Sequence, residues 1–353
     1  MTPYTTVGVA LAAGLVPALA GPPGVGKTAM LETWAMSANW RFAVLELSQC
    51  DPTDLAGLPI PTLSGTVVRA PLKLLADLAD HEGDSLLLLD DLSGATPATQ
   101  AAALRLLLNR QCGDLTLPPQ VSLAVAYNPT DQGGLFALEP AVAGRLLHIE
   151  MEADPQLVAS GFCGAWPQVP HLPAPPTETV DRWRAEIAAF FLRRPSLVLA
   201  STEGPAAPSP RTWEMAAVAA ACAEHAGLGE GDIHAAVTAS VGIGAASELI
   251  AWREERDLPD PAAMLADPAT APPVADTDRP DRTLLIADAL VDTALRSQDP
   301  SWVAAAWTLL AAALDAGQGD VVLLAARRLT EARQPGQPIP TGAGPLLDLL
   351  AAA

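Results

Sequence analysis

Short, continuous apolar runs alternate with amphipathic stretches through the first 152 residues. The runs at 15–20, 41–47, 85–89, 121–127 and 146–151 read as strands, because each is only a few residues long and closes on a turn or a charged residue. They are apolar without alternation, the pattern of strands covered on both faces of a parallel sheet. Residues 28–38 and 97–110 read as helices. The second has Pro97 in its first turn and Thr96 placed to cap it. The pattern breaks between 57 and 79. There 58–69 reads as a hairpin turning at Ser64-Gly65, followed by a short helix from Pro71, so this stretch is an insertion in an α/β core.

Beyond residue 152 the strand pattern stops. Residues 153–179 are rich in Pro and Ala and read as a connector. Helical periodicity returns at 180–199, 210–226 and 231–252, which gives a helical lid over 180–256. An Asp/Pro-rich stretch at 257–282 is expected to be extended. Helices resume at 283–296, 302–316 and 321–333, in a helical C-terminal region 283–353. Its Pro/Gly-rich and then Ala-rich tail, 334–353, is expected to be disordered in part. Half of the residues are hydrophobic but only 4% are aromatic, so Ala and Leu fill the cores, which favours helices.

Charge narrows the partners. Forty acidic residues against 20 basic ones leave a formal charge of -20, a surface that repels nucleic-acid backbones. The four cysteines, Cys50, Cys112, Cys163 and Cys222, form no C-x-x-C pair and read as reduced thiols in a cytoplasmic protein. Residues 7–20 imitate an export leader ending Ala18-Leu19-Ala20, but no Lys or Arg precedes them. Cleavage there would also remove the strand that carries the next motif, so export is rejected. No uncharged apolar run reaches the length of a membrane span.

That motif is Gly21-Pro22-Pro23-Gly24-Val25-Gly26-Lys27-Thr28, which fits G-x-x-x-x-G-K-[ST] between an apolar strand and a helix. Its glycines let successive backbone N–H groups, through Ala29, turn toward phosphates at a helix N-terminus. Lys27 is expected on the β- and γ-phosphates of ATP, and the Thr28 hydroxyl on Mg²⁺. A second strand, 86–89, ends in Asp90-Asp91, and strand C-termini are where open α/β sheets bind ligands. Asp90 is expected to hold Mg²⁺ through water. Asp91 is expected to orient or deprotonate the attacking water.

From Asp90 to Gln100 the chain reads Asp-Asp-Leu-Ser-Gly-Ala-Thr-Pro-Ala-Thr-Gln, which resembles the D-E-I-N-R-A-x-P-x-x-Q stretch of MoxR-type AAA+ ATPases. The likeness continues through a helix ending Asn109-Arg110 and a strand ending Asn128-Pro129, and covers roughly residues 5–255. Two positions depart from the family. Asp91 stands where the family has Glu, which withdraws the carboxylate by about 1.5 Å, one C–C bond. Gly94 stands where it has Arg. The resemblance implies an AAA+ P-loop core with a helical lid, and assigns Asn128 as the sensor on the γ-phosphate or the attacking water. The segment from Leu138 to Ile149 resembles L-P-x-A-x-x-x-R-F, which makes Arg145 the arginine offered to a neighbouring subunit's nucleotide. Arg211 follows Ser209-Pro210 in the first turn of a helix, where a cation opposes the dipole unless an anion compensates. By resemblance it is the second sensor, on the lid.

The leading expectation is a MoxR-like ATPase that remodels or activates a partner protein, working as a homo-oligomeric ring of six subunits by resemblance. The family implies a client or a partner with a von Willebrand factor A domain. A second expectation is a nucleotide-dependent switch with weak hydrolysis, supported by Asp91. A DNA-acting AAA+ protein is the third, opposed by the charge. No histidine pair has metal-ligand spacing, and the eight tryptophans read as packing residues.

Overall fold

The apolar runs become a sheet because each is short, rich in buried Leu, Val and Ala, and stopped by Gly, Pro or a charge. The structure is a computed structural model that describes residues 3–202, 204–255, 257–297, 299–332 and 343–352. Its first part runs α1 (Pro3–Ala12), β1 (Pro17–Ala20), α2 (Lys27–Ser37), β2 (Arg41–Glu46), α3 (Pro52–Ala56), β3 (Leu58–Pro61), β4 (Val67–Ala70), α4 (Lys73–Ala79), β5 (Ser85–Asp90) and α5 (Pro97–Asn109). There follow β6 (Gln111–Cys112), β7 (Leu115–Thr116), β8 (Val121–Tyr127), α6 (Pro140–Ala143), β9 (Leu147–Glu150) and α7 (Pro155–Phe162).

Five strands form one parallel sheet in the order β2-β5-β8-β1-β9. Each of the five expected strands is present. Their order is set by non-local pairing: β8 inserts between β1 and β5, so the C-terminal ends of those three strands lie side by side. The register pairs Ala20 with Tyr127 and Glu46 with Asp90. Leu87, Leu89, Leu47, Leu106 and Val125 belong to the core on one side of the sheet and are buried. The insertion forms the hairpin β3–β4, antiparallel and turning through Gly65 at φ 81°.

The apolar stretch 7–20 divides between a helix and a strand. α1 packs on β9 and on two later helices, α9 (Pro210–His225) and α10 (Glu230–Val241). In chain order α8 (Thr177–Arg193) precedes α9. The cap read from sequence at Thr96 accepts from Thr99 N, and Ser209 caps α9 in a reciprocal box with Thr212. One helix was expected over 231–252. Instead α10 stops at Gly242, at φ 82°, and α11 (Ile243–Glu255) begins anew. A β-carbon on Gly242 would lie 2.8 Å from Ala206 O, so the break also serves a close approach.

The remaining helices are α12 (Pro261–Ala266), α13 (Pro280–Ser297), α14 (Pro300–Asp315), α15 (Gly319–Glu331) and α16 (Gly344–Ala352). Within the stretch expected to be extended, α12 forms because Asp260 accepts from Ala262 N at 3.0 Å and Pro261 fits the first turn. Residues 333–342 of the tail expected to be disordered lie outside the described residues, while 344–352 are helical.

Two compact units result. One holds the chain through Val180 together with Leu199–Ser247 and contains the whole parallel sheet. The other holds Asp181–Val198 and the chain from Glu248 onward, and is helical. Its core gathers Leu290, Trp307, Leu310 and Leu329. Within it Arg253 stacks 4.1 Å from the Trp183 ring centroid and pairs with buried Glu186 at 2.7 Å. Among the described residues, no helix is long and apolar enough to cross a membrane.

Candidate functional site

The loop from Gly21 to Gly26 leaves β1 at the sheet's C-terminal edge and enters α2. Gly24 and Gly26 sit at φ 82° and 100°, a region that side chains with a β-carbon rarely adopt. Gly21 meets a different demand: a β-carbon there would be 2.4 Å from Met151 O. These constraints close the loop tightly around the Lys27 side chain. Its Nζ donates to Gly21 O at 2.7 Å, Pro22 O at 3.1 Å and Asn128 Oδ1 at 2.8 Å. Three donors thus meet three acceptors. Burial pulls the Lys27 pKa down, and Asp90 and Asp91 oppose that shift.

Thr28 follows on the first turn of α2 and donates its hydroxyl to Asp90 Oδ2 at 2.8 Å. The other Asp90 oxygen accepts from the Asp91 amide at 2.8 Å. The Thr28 hydroxyl and the Asp90 carboxylate are hard oxygen donors, the kind Mg²⁺ takes. Among the described residues no group of three His, Cys, Asp or Glu could hold a metal alone. The donor set therefore fits an ion that is completed by substrate phosphates and water.

Asp91 lies just past β5 in the left-handed region, at φ 51° and ψ 48°. Among the described residues its carboxylate takes part in no hydrogen bond. Glu46, not singled out from the sequence, stands level with Asp90 in the neighbouring strand. Burial, then Asp90 and Asp91, raise its pKa. The sequence reading runs β2 to residue 47, so it finds neither Glu46 as the last residue nor its pairing with Asp90.

Asn128 directly follows β8, between the Gly21–Thr28 loop and the acids. Its amide oxygen is taken by Lys27, and its backbone N–H donates to the buried Ser93 hydroxyl at 2.9 Å. Ser93 is a second residue the sequence reading missed. Next to Asn128, the Tyr127 hydroxyl meets His148 Nδ1 at 3.0 Å, and His148 Nε2 meets Ala143 O at 3.0 Å. A carbonyl can only accept, so Nε2 carries the proton and Nδ1 accepts from Tyr127. Burial lowers the His148 pKa to about 4. This brace ties β8 to the turn that presents Arg145.

The arginines lie apart from that network. Arg145 donates from Nη1 to Ala141 O within its own turn, and its Nε is buried without a hydrogen-bond partner. Its pKa is lowered by burial and then by Arg211, so the two cations are neighbours. Arg211 is exposed in the first turn of α9. Among the described residues neither forms an ion pair. Arg211 and Asn128 line one cavity of about 850 Å³. A second, of about 670 Å³, lies between α1, β9 and α10 and shares Tyr127, Glu150 and Thr202 with the first. The Thr238 hydroxyl is buried without a partner, and Thr238 lines this second cavity.

No family model matches the chain, and no curated protein matches it. Solved structures do. A crystal structure of a candidate ATPase from Cytophaga hutchinsonii is 17% identical, with a TM-score of 0.41 over 67% of this chain and 79% of that one. A full-length MCM homologue from Methanopyrus kandleri is 18% identical, with a TM-score of 0.36 over 70% of this chain and 54% of that one. Overlaps this loose carry no function across; the strand order and the side-chain geometry stand on their own.

Proposed function

We propose that this chain is an AAA+ ATPase of the MoxR type, which binds Mg²⁺·ATP at the Gly21–Thr28 loop and hydrolyses it to remodel or activate a partner protein. The observation that carries this reading is the two hydrogen-bonded pairs Asn128–Lys27 and Thr28–Asp90, side by side at three adjacent strand ends. Such an arrangement is suited to phosphoryl transfer, where catalysis is positioning plus charge stabilisation. The loop amides from Gly24 to Ala29 cradle the phosphates, and Lys27 exchanges a carbonyl contact for a phosphate oxygen. Thr28, and Asp90 through water, would hold Mg²⁺, which when bound would supply positive charge against the phosphates. Asn128 positions the attacking water, and Asp91 takes its proton. The base enters the cavity between α1 and α10, where Thr238 offers a hydroxyl.

Arg145 serves the nucleotide of a neighbouring copy in a ring, and Arg211 reads the γ-phosphate in its own subunit. What favours these roles is that two neighbouring cations lack a carboxylate partner, a costly arrangement unless an anion joins them. A cytoplasmic ring, six subunits by resemblance, acting on a client or a von Willebrand factor A partner completes the reading. The test is Mg²⁺-dependent phosphate release by the purified protein, compared with Lys27→Ala. Turnover equal in the two proteins would overturn it. A second reading, a switch that binds ATP and hydrolyses it slowly, is favoured by one observation: Asp91 stands outside the hydrogen-bond network. It predicts ATP-dependent assembly with single-turnover kinetics.

A further inference from the structure

The Asp91 carboxylate occupies the space that a side chain at position 94 would fill. Asp91 opens a tight turn, in which Gly94 N donates to Asp91 O at 3.0 Å. This closure brings the Gly94 α-carbon over the Asp91 side chain. A β-carbon added to Gly94 would lie 2.2 Å from Asp91 Oδ2, 2.7 Å from Cγ and 2.9 Å from Oδ1. All three distances are far inside van der Waals contact, so any other residue at 94 expels the carboxylate from this pose. In the same pose the carboxylate bonds to none of Lys27, Thr28 or Asn128, although those three are joined to one another or to Asp90.

We propose that Gly94 is a positioning residue: its bare α-carbon leaves room for Asp91 to rest withdrawn, folded over its own turn, so that the protein turns ATP over slowly. The shorter acid and the bare α-carbon work as a pair: Asp fits over Gly94, and a longer acid reaches beyond it. The proposal rests on the ATPase reading above.

The test measures ATP affinity by calorimetry, and kcat by phosphate release, for the full chain, Gly94→Ala, Asp91→Asn and the double variant. Gly94→Ala is expected to raise kcat by at least about threefold with ATP affinity unchanged, and to have no effect in the Asp91→Asn background. A merely structural role for Gly94 would instead lower ATP affinity in both backgrounds, which calorimetry reads even where Asp91→Asn stops turnover. Unchanged or lower kcat in a Gly94→Ala protein that binds ATP normally overturns the proposal. If Gly94→Ala does not fold, Asp91→Glu decides. Its carboxylate overshoots the resting place, so kcat should rise, and a rate at or below the unaltered chain overturns the proposal. Failure of the unaltered protein to bind ATP is a different result: it removes the phosphate-loop reading and this inference with it.

Discussion

The phosphate-loop side of the site and its arginine side are built in opposite ways. On the first, Lys27, Thr28, Asp90 and Asn128 are joined before any ligand arrives, and the Lys27 ammonium has all its donors matched. On the second, Arg145 and Arg211 face each other's charge, and the Arg145 Nε has no partner. The difference teaches what a single chain supplies. It preorganises Lys27, Thr28, Asp90 and Asn128, the groups proposed to hold phosphates and metal. On the proposed reading, it leaves the two arginines that would answer transition-state charge without an anion until nucleotide and a neighbouring copy supply one.

The sharpest way to break this comparison is at Arg145. Arg145→Ala should bind ATP normally and lose turnover by about 10³-fold, because an arginine finger contributes mainly to the transition state. Mixing it with Asp91→Asn should restore part of the activity, since some interfaces then pair an intact Asp91 with an intact Arg145. Wild-type turnover in Arg145→Ala, or full activity in a monomer, as followed by light scattering, would return the arginine to a structural role.

On the preorganised side, Lys27→Ala should weaken ATP binding by about a hundredfold, the loss of a charge-assisted phosphate contact. The fold should hold, since Lys27 bonds only to its own loop and Asn128. Calorimetry against ATP reads the first expectation, and a thermal melt reads the second.

His148 links the two sides. Folded, its pKa is about 4; unfolded, it returns to about 6.5. Between those values the unfolded chain binds the extra proton. The stability this histidine contributes is therefore whole above about pH 6.5 and is lost as pH falls toward 4. The amount is on the order of 3 kcal/mol. Melting temperatures at pH 7.5 and 5.0 should fall further apart for the unaltered protein than for His148→Gln. Equal gaps would mean that the brace is not titrating. The smallest effect is expected at Thr238, where Thr238→Val should change the preference for ATP over GTP by only several-fold, one neutral hydrogen bond. Competition binding measures it, and an unchanged ratio would move the base elsewhere.

Much of this was legible in the chain because it is local. The five strands end on Gly, Pro or charges, the caps at Thr96 and Ser209 precede Pro, and the phosphate loop is contiguous. Residues that matter through partners far along the chain were not legible. Glu46 gains meaning only from its register with Asp90, Ser93 only from Asn128, and His148 only from Tyr127 on another strand. Gly94 was visible as a departure from a family pattern. That its bare α-carbon makes room for Asp91 depends on the left-handed turn at 91. α1 was missed because its apolar run, Val7 to Leu11, has no polar face, being buried in the fold.

The β3–β4 hairpin carries Leu58, Ile60, Leu63 and Val67 in the open, Leu58 63% exposed, which on a bare ribbon invites stacking into fibrils. Its two edges are closed by different means. Thr62 N bonds to Thr66 O within the hairpin, so positions 58, 60 and 62 face inward and Pro59 and Pro61 face out. The outer rim of β3 thus lacks two successive N–H donors. On β4, the outward Arg69 N–H is taken by the Asp114 carboxylate at 2.7 Å, and Arg69 O by Asp114 N at 3.0 Å. Neither rim therefore offers the row of free donors and acceptors that a further strand needs, and the apolar side chains can lie open without the backbone templating a neighbour. Restoring donors with Pro59→Val and Pro61→Val would open one rim, and the protein would be expected to polymerise through it.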